Sequence, residues 1–260
     1  MNLSFIKYHG GGNDFVIVDA LDPQPLSNEQ VAFLCHRRFG VGADGLITIH
    51  SGAEDYDFEI RYYNSDGALA SLCGNGSRCA LDYAYQHQLC SKNTRFKASD
   101  GIHEGVIISD LRNRVSMLPV TFPTQYEDGY FLNTGSPHFV VAVENAELVD
   151  VEKKGKELRY DTRFAGGTNV NFMERHADHL FVRTYERGVE AETLSCGTGV
   201  TASAIVAASL DAVALGQPVH YQIKTLGGSF TVYLQKEGEL FNHIWLEGPV
   251  QSVFKGSIQI

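Results

Sequence analysis

Short runs of apolar residues, many of them alternating with polar ones, recur along the chain and predict a protein built mainly of strands. In the first half, the runs that predict strands are residues 15–19, 45–50, 56–63, 94–97, 105–108 and 114–117. The second half repeats the order with residues 138–143, 168–174, 179–185, 220–225, 229–235 and 243–247. This repetition is the first indication that the chain contains two related halves.

Three helices interrupt the predicted strands. The first covers residues 27–38 and begins at Ser27, a residue type that commonly caps the first turn of a helix. The other two, residues 77–88 and 200–215, each follow a glycine-rich loop that contains a cysteine. The last helix is small and apolar on nearly all faces, which predicts burial on nearly all faces. We therefore expect, in each half, a curved and mostly antiparallel sheet around a central helix.

Blocks of the first half also align with blocks of the second at a near-constant offset. One pair is Gly12-Asn13-Asp14-Phe15-Val16 with Ser136-Pro137-His138-Phe139-Val140, although common strand and turn patterns could align by chance. We interpret the blocks as two homologous halves of an α/β protein, residues 1–119 and 120–249. Residues 118–123 have the composition of an extended linker. The tail, residues 250–260, is strand-like and is expected to return to the first half.

The composition indicates a globular protein: of 260 residues, 43% are hydrophobic and 20% are charged. The net charge of −10, without a basic stripe, argues against nonspecific binding of nucleic acids. No apolar run approaches the roughly 20 residues that cross a membrane, and the N-terminus lacks the apolar core of a signal peptide. Five cysteines without a disulfide pattern suit the reducing cytoplasm. Cys35, Cys79 and Cys90 fall on predicted helices and are expected to be small buried apolar residues.

The remaining two cysteines occupy nearly the same short peptide in the two halves. Cys73 lies in Leu72-Cys73-Gly74-Asn75-Gly76, and Cys196 lies in Ser195-Cys196-Gly197-Thr198-Gly199, each before a predicted helix. Unpaired N–H groups and the positive end of the helix dipole stabilise a thiolate at such a position. One such thiol predicts a nucleophile or a redox residue, whereas two predict a base on one side of a substrate and an acid on the other.

Together these motifs resemble those of the diaminopimelate epimerases, a cofactor-independent family that serves the formation of lysine and peptidoglycan precursors. The matching segments span nearly the whole chain and are Lys7-Tyr8-His9-Gly10-Gly11-Gly12-Asn13-Asp14-Phe15, Arg38-Phe39-Gly40-Val41-Gly42-Ala43-Asp44-Gly45, Tyr63-Asn64-Ser65-Asp66-Gly67, Cys73-Gly74-Asn75-Gly76, Asn169-Val170-Asn171-Phe172, Tyr185-Glu186-Arg187-Gly188 and Thr193-Leu194-Ser195-Cys196-Gly197-Thr198-Gly199. Where the family usually has leucine and asparagine, this chain has Gly11 and Ser136. The resemblance implies a pseudo-symmetric two-domain fold, a site in the cleft between the domains, and interconversion of LL- and meso-diaminopimelate.

The resemblance also implies roles for polar residues outside the cysteine loops. Asn13, Asn64 and Asn169 would be amides that bind the substrate, and the alternative for each is a turn residue. The guanidinium of Arg187 would bind the distal carboxylate in a bidentate manner, and Glu186 would meet an ammonium group. The alternative for these two is an ion pair on the surface.

His138 has two interpretations from the sequence. It is either a buried, hydrogen-bonded histidine or a residue that tunes the thiols together with Glu186. Other histidines, such as His176 and His179, do not assemble a convincing metal site, and Asp44 beside a glycine is typical of a turn. The sequence therefore predicts no bound metal.

Removal of an α-proton from an amino acid requires strong stabilisation of the carbanion, and the chain shows no motif for an electron-accepting cofactor. We therefore expect no cofactor and fixed backbone dipoles at the substrate carboxylate. The N–H groups expected to form this cradle belong to Gly74, Asn75, Gly197 and Thr198. Cys73 and Cys196 would alternate as base and acid, and by the resemblance Cys73 would be the base toward the LL form. The alternative is a structural or redox cysteine pair.

Other functions are alternatives at this point. The nearest is a two-cysteine racemase of the same fold that acts on histidine, proline or hydroxyproline, although Arg187 and Glu186 favour a substrate that is polar at both ends. The two Cys-Gly-X-Gly loops argue against a silent binding module, and the lack of Cys-X-X-Cys argues against a thiol redox protein. The expected partner is a small amino-acid substrate, with neither nucleic acid nor membrane. The sequence leaves the oligomeric state open, with a homodimer among the options.

Overall fold

The computed structural model describes residues 2–19, 25–70 and 72–260 of the chain. The strands are β1 (Asn2–Gly10), β2 (Asn13–Asp19), β3 (Gly45–Ala53), β4 (Tyr56–Asn64), β5 (Asn93–Ala98), β6 (Gly101–Ser109), β7 (Arg112–Ser116), β8 (Val120–Thr121), β9 (Thr124–Tyr126), β10 (Gly129–Asn133), β11 (Pro137–Val143), β12 (Asn169–Arg175), β13 (Leu180–Glu186), β14 (Ala191–Thr193), β15 (Pro218–Thr225), β16 (Gly228–Glu237), β17 (Leu240–Pro249) and β18 (Gln251–Gln259). The helices are α1 (Asn28–Cys35), α2 (Gly74–Gln86), α3 (Val151–Arg159) and α4 (Gly197–Leu210). Within these described ranges, none of the helices has the length and apolar character needed to span a membrane.

The first of two compact units comprises Met1–Val115 and Gly248–Ile260. Its strands pair in the order β18-β1-β2-β3-β4-β5-β6-β7, and all pairs are antiparallel except β2–β3 and β4–β5. Parallel neighbours need a crossover connection, and α1 and α2 supply the two crossovers. The sheet wraps around α2, which contacts β1, β2, β3, β4 and β6. Residues 74–84 of this helix are buried.

A two-residue turn, Gly11-Gly12, joins β1 to β2 between the paired residues Gly10 and Asn13. The φ angles of the two glycines are 64° and 85°, which are left-handed values of the kind found in a type I′ turn. Glycine adopts them without the steric cost that a side chain would add, so Gly11 suits this backbone better than the leucine usual in the family. The turn places Asn13 at the first position of β2.

The second unit comprises Ser116–Glu247 and repeats the plan of the first. Its strands pair in the order β9-β10-β11-β12-β13-β15-β16-β17-β8, with β14 also beside β13, and only β11–β12 and β13–β15 are parallel among these described pairs. Helices α3 and α4 make the crossovers. Residues 197–208 of α4 are buried against the sheet. The prediction of two homologous α/β halves, each a mostly antiparallel sheet around a central helix, is confirmed.

Three details of the predicted helices are wrong, and one is that α4 ends at Leu210, before the predicted residue 215. Ser27 caps α1 as expected and forms a capping box with Gln30, but the helix ends before His36, whose backbone is extended with φ −68° and ψ 119°. Cys90 does not lie on a helix, because α2 ends at Gln86.

The sequence pattern also fails to predict α3. This helix is mostly charged and buries only Val151 and Gly155, so its apolar stripe is too narrow to recognise. Asp150 caps it by accepting a hydrogen bond from the N–H of Lys153 at 3.1 Å. Residues 118–123, expected to be a linker, include β8, which pairs with β17 within the second unit.

Gly155 lies where α3 meets β13, and a Cβ at this position would overlap the Cβ of Tyr185. Because that atom is fixed to the backbone, it cannot rotate away. We expect Gly155→Ala to lower the free energy of unfolding by about 1–3 kcal/mol, although alanine normally stabilises a helix relative to glycine. Urea denaturation measures the change, and the exposed Lys156→Ala is the control, expected within about 0.5 kcal/mol of the parent. A Gly155→Ala protein more stable than the parent would contradict the packing described.

Candidate active site

Cys73 begins α2 as its N-cap residue, with an extended backbone of φ −108° and ψ 110°. Its Sγ accepts a hydrogen bond from the N–H of Gly76 at 3.5 Å. The helix therefore begins at Gly74, earlier than predicted, because the sulfur takes the capping role that an oxygen usually fills. A thiol in this position experiences the positive end of the helix dipole, which favours its thiolate form.

Asn13 faces the same thiol from the start of β2. Its Nδ2 donates to Oδ2 of Asp44 at 2.6 Å, and its Oδ1 lies 3.6 Å from Sγ of Cys73. Arg37 contacts the other oxygen of Asp44 at 2.6 Å. Since the carboxylate binds the NH₂ end of the amide, the carbonyl end must point toward the thiol. Asp44 therefore orients a site residue.

The first turn of α2 is supported by a buried arginine that the sequence analysis missed. Arg78 donates from Nη1 to the carbonyl oxygen of Gly74 at 3.1 Å and from Nη2 to Oδ1 of Asn75 at 2.7 Å. Burial lowers the pKa of Arg78 to about 10, so the guanidinium is charged at neutral pH. Its charge adds to the attraction of this helix start for anions. The alignment of the two halves does not point to Arg78, because the equivalent position of α4 is Thr201.

Asn64 is the last residue of β4, and it is exposed. Its backbone N–H donates to the carbonyl oxygen of Ala68 at 2.9 Å, and its carbonyl oxygen accepts from the N–H of Gly67, also at 2.9 Å. This is a turn, as one of the two interpretations expected. Within the part of the chain that the structure describes, no hydrogen bond joins its side chain to Cys73 or Asn13, and its substrate role stays a prediction.

In the second unit, Cys196 begins α4 with a similar backbone, φ −121° and ψ 114°. The thiol is buried and makes no capping bond to the helix. Its Sγ lies instead 3.4 Å from Oγ1 of Thr198. Gly197 and Thr198 occupy the first two positions of the helix, where N–H groups have no carbonyl partner within the helix. The two helix starts therefore share a backbone arrangement but differ in what contacts the sulfur.

His138 is fully buried on β11, with both ring nitrogens hydrogen-bonded. Nε2 lies 2.9 Å from Oγ1 of Thr198 and 3.0 Å from Oγ of Ser136, and Nδ1 lies 3.0 Å from Nδ2 of Asn171. Burial lowers the pKa of His138 to about 3, so the ring is neutral at physiological pH. His138 is thus a satisfied buried histidine that also connects to Cys196 through one hydroxyl group.

Asn169 forms hydrogen bonds with two separate segments of the second unit. Its Oδ1 accepts from the backbone N–H of Arg187 at 2.9 Å. Its Nδ2 donates to the carbonyl oxygen of Pro137 at 2.8 Å and to Oγ of Ser136 at 3.3 Å. The amide therefore fixes the start of the Arg187 loop beside Ser136.

Arg187 follows the end of β13, where Glu186 is the last strand residue. The arginine is exposed, and its Nη1 makes a long contact of 3.4 Å with the carbonyl oxygen of Gly166. Among residues 2–19, 25–70 and 72–260, Arg187 forms no ion pair. The surface ion pair with Glu186 is therefore not what the structure shows, and the guanidinium can receive a carboxylate from a ligand.

Asn171 is a second residue that the sequence analysis missed as part of the site. It is fully buried, and its Oδ1 accepts from Oγ1 of Thr184 at 3.0 Å. A Cβ at Gly199 would overlap this Oδ1, so the third residue of α4 must lack a side chain. A signal was present, because residues two apart in a strand share a face and Asn169 and Asn171 form such a pair.

Each unit thus carries a half-site built around one thiol at a buried helix start. Each half-site can hold a thiolate and offer backbone N–H groups to an anion. The first adds an oriented amide and a buried cation, and the second adds a neutral imidazole, hydroxyl groups and an available guanidinium.

The family model described as diaminopimelate epimerase matches residues 5–122 and 130–253 of the chain. The diaminopimelate epimerase of Flavobacterium psychrophilum is 39% identical over 260 residues, covering 98% of this chain and 100% of that protein. Among solved structures, a phenazine biosynthesis protein of the PhzF family from Bacillus anthracis has a TM-score of 0.75 at 16% identity, covering 100% of both chains. A hydroxyproline epimerase from Agrobacterium vitis has a TM-score of 0.73 at 14% identity, covering 99% of this chain and 92% of that one. At these low identities the two structures show a shared fold alone.

The neutral His138 makes stability depend on pH in a defined window. Its folded-state pKa of about 3 lies below the ordinary value of 6.5, so the folded protein binds fewer protons there than the unfolded chain. This contribution to stability is complete above the unfolded pKa and is lost as the pH falls toward 3. Between about pH 7 and pH 5, we expect the parent to lose about 2 kcal/mol more unfolding free energy than His138→Gln.

Urea denaturation at pH 7 and pH 5 gives the loss of unfolding free energy for the parent and for His138→Gln. The control is His220→Gln, which removes an exposed histidine and should behave like the parent. If His138→Gln and the parent lose the same amount, His138 is not held neutral by burial.

Proposed function

The chain belongs to the diaminopimelate epimerase family and is an isomerase; we propose that it interconverts LL- and meso-diaminopimelate without a cofactor, by proton transfer between Cys73 and Cys196. The observation that carries the proposal is the repeated helix start. In each unit, a cysteine occupies the N-cap position of a buried helix that opens with Gly-X-Gly. Two thiols in equivalent positions of duplicated units fit a reaction that needs one base and one acid.

In the proposed reaction, each proton transfer breaks one bond to hydrogen and forms another. With the LL form bound, the thiolate of Cys73 removes the α-proton, so the C–H bond breaks and an S–H bond forms. The thiol of Cys196 then gives its proton to the opposite face of the same carbon and becomes the thiolate. The reverse reaction begins with Cys196 as base. The proposal requires both sulfurs to reach one α-carbon when the substrate is bound.

The carbanion places negative charge on the substrate carboxylate, and the helix starts provide positive charge for it. We assign this carboxylate to the backbone N–H groups of Gly74, Asn75, Gly197 and Thr198. Donors fixed in a buried site stabilise such charge strongly, and loss of one donor of this kind typically costs about 10²–10³ in kcat. The charged guanidinium of Arg78 strengthens the first helix start.

The distal end of the substrate carries a second carboxylate and a second ammonium group. We assign the carboxylate to Arg187, whose planar guanidinium matches it in a bidentate manner. Glu186 meets an ammonium group. The amides of Asn13, Asn64 and Asn169 complete the binding of a zwitterion, because each offers a donor and an acceptor without net charge.

His138 tunes the Cys196 thiol in this proposal and does not itself exchange a proton with the substrate. A ring with a pKa near 3 is a poor proton donor or acceptor at neutral pH, yet it is hydrogen-bonded to the hydroxyl group that contacts the sulfur. We also infer a reducing compartment, the cytoplasm, because the mechanism needs both thiols reduced.

The first test is incubation of the reduced protein with LL-diaminopimelate in D₂O, with no added cofactor, followed by NMR. We expect the α-proton signal to disappear while the meso form appears, because the proton returned to the carbon comes from a thiol that has exchanged with solvent. A folded, fully reduced protein that catalyses neither change would remove diaminopimelate as the substrate. Histidine, proline and hydroxyproline are then tested in the same way, since racemases of this fold are the alternative.

The second test replaces each thiol separately. We expect Cys73→Ala and Cys196→Ala each to lower kcat in both directions by at least about 10²–10⁴-fold, because each direction needs both a base and an acid. The control is Cys90→Ala, which removes a half-buried cysteine of the first unit outside the proposed site and should leave turnover near that of the parent. Near-normal epimerisation by Cys196→Ala would contradict the two-thiol mechanism.

A further inference from the structure

A continuous chain of buried polar groups runs through the second unit to Cys196. The chain consists of Thr184, Asn171, His138, Thr198 and Cys196, with contacts of 3.0, 3.0, 2.9 and 3.4 Å between successive polar atoms. All five residues are buried. In such surroundings each hydrogen has to face an acceptor, so the direction of every bond can be worked out.

The direction is set at Asn171. Its Oδ1 accepts from the hydroxyl group of Thr184, so its Nδ2 lies on the side of His138. Nδ2 carries two hydrogens and can only donate. One hydrogen points to Nδ1 of His138, and the other points to the carbonyl oxygen of Phe139, which lies 3.4 Å from Nδ2. In this orientation, both the oxygen and the NH₂ group of Asn171 therefore have hydrogen-bond partners.

The amide fixes the tautomer of the ring. A neutral imidazole has one N–H, and Nδ1 accepts a hydrogen bond, so the hydrogen must be on Nε2. Nε2 faces two hydroxyl oxygens, Thr198 Oγ1 at 2.9 Å and Ser136 Oγ at 3.0 Å. The N–H on Nε2 therefore faces two acceptors, one of which is Oγ1 of Thr198.

The tautomer in turn orients the hydroxyl group of Thr198. Ser136 accepts from Nδ2 of Asn169 at 3.3 Å, and its own hydrogen can point to Oγ1 of Thr198 at 3.2 Å. Oγ1 of Thr198 then accepts from both His138 and Ser136, which occupies its two lone pairs. Its hydrogen is left to point toward Sγ of Cys196.

We propose that Asn171 is a positioning residue, which holds the His138 proton on Nε2 and thereby makes Thr198 a hydrogen-bond donor to Cys196. A sulfur that accepts a hydrogen bond is stabilised as the thiolate. The inference rests on the proposed function, in which Cys196 is one of the two proton-transferring groups. Gly199 fits this arrangement, because any side chain there would displace the Asn171 oxygen and the whole sequence of bonds with it.

Ionisable side chains other than His138 also lie on the strands around α4. The strands that pack against α4 are β10, β11, β12, β13, β15 and β16. Their ionisable side chains other than His138 are Tyr130, Glu174, Arg175, Arg183, Tyr185, Glu186, His220, Tyr221, Lys224, Tyr233, Lys236 and Glu237. Burial lowers the pKa of His138, and the charge of Arg187 just beyond β13 lowers it further. The ring therefore stays neutral while the thiol titrates.

The unaltered protein gives the first test. Histidine rings labelled with ¹⁵N report which nitrogen carries the hydrogen in two-bond ¹H–¹⁵N spectra, and comparison with His138→Gln identifies the His138 signals. From about pH 6 to pH 9 we expect a non-titrating ring with its hydrogen on Nε2. A ring with its hydrogen on Nδ1 would overturn the proposal, whether or not any variant folds.

The second test uses Asn171→Asp, which has nearly the same shape but an oxygen in place of Nδ2. The carboxylate can only accept, so it draws a hydrogen to Nδ1, and in a ring that the ¹⁵N spectra show to be neutral Nε2 becomes an acceptor for the Thr198 hydroxyl group. Alkylation of Cys196 by iodoacetamide is followed by peptide mass mapping across pH. We expect the pH of half-maximal reactivity to rise by about one unit or more, with a larger effect on kcat than on KM.

A matched control is Asn113→Asp, the same change at another fully buried asparagine, which lies in the first unit. It should leave the pH dependence of Cys196 alkylation unchanged. That result separates an effect transmitted through His138 and Thr198 from a general loss of stability. In an Asn171→Asp protein whose ring is neutral, an unchanged or lowered half-reaction pH would overturn the proposal. Neither the ¹⁵N spectrum of the ring nor the alkylation profile involves diaminopimelate, so failure of the exchange experiment in D₂O would remove the proposed function and leave this inference to be judged by these two readouts.

Discussion

A helix that begins inside a sheet must have the N–H groups of its first turn satisfied away from bulk water, and both units are organised around this requirement. In α2 and α4, a cysteine takes the N-cap position and glycine follows it directly. The backbone N–H groups are then gathered at one point, where an anion is attracted. Buried N–H groups without partners would destabilise the folded protein. The same N–H groups suit the helix start to a thiolate and a carboxylate.

The duplication kept this backbone arrangement and changed the side chains around each sulfur. In the first unit, Cys73 lies near the carbonyl end of Asn13, and the charged Arg78 supports the helix start. In the second unit, the neutral ring of His138 and the hydroxyl group of Thr198 take the corresponding place. The two thiols are therefore related by descent but are in different electrostatic surroundings, which suits the proposed roles of one base and one acid.

The sequence pattern could predict the elements that have a strong period and the residues that lie in repeated motifs. Alternation marked the strands, and the repeated peptide located Cys73 and Cys196. It could not reveal α3, whose buried stripe is only Val151 and Gly155. It also missed contacts that depend on the register of strands distant in the chain. Asn171 meets Thr184 because β12 and β13 pair antiparallel with these two residues directly opposite, and periodicity shows which face is buried without showing the partner.

The pairing of β18 with β1 has a consequence for how the protein is made. The first unit is assembled from two segments far apart in sequence, whereas Ser116–Glu247 is one continuous segment. On the ribosome, the second unit has its full sequence before residues 248–260 are synthesised. Until then β1 has one edge without its strand partner, and an open edge is a site of wrong association between chains. The half-site of Cys73, although encoded first, belongs to the unit that is completed last.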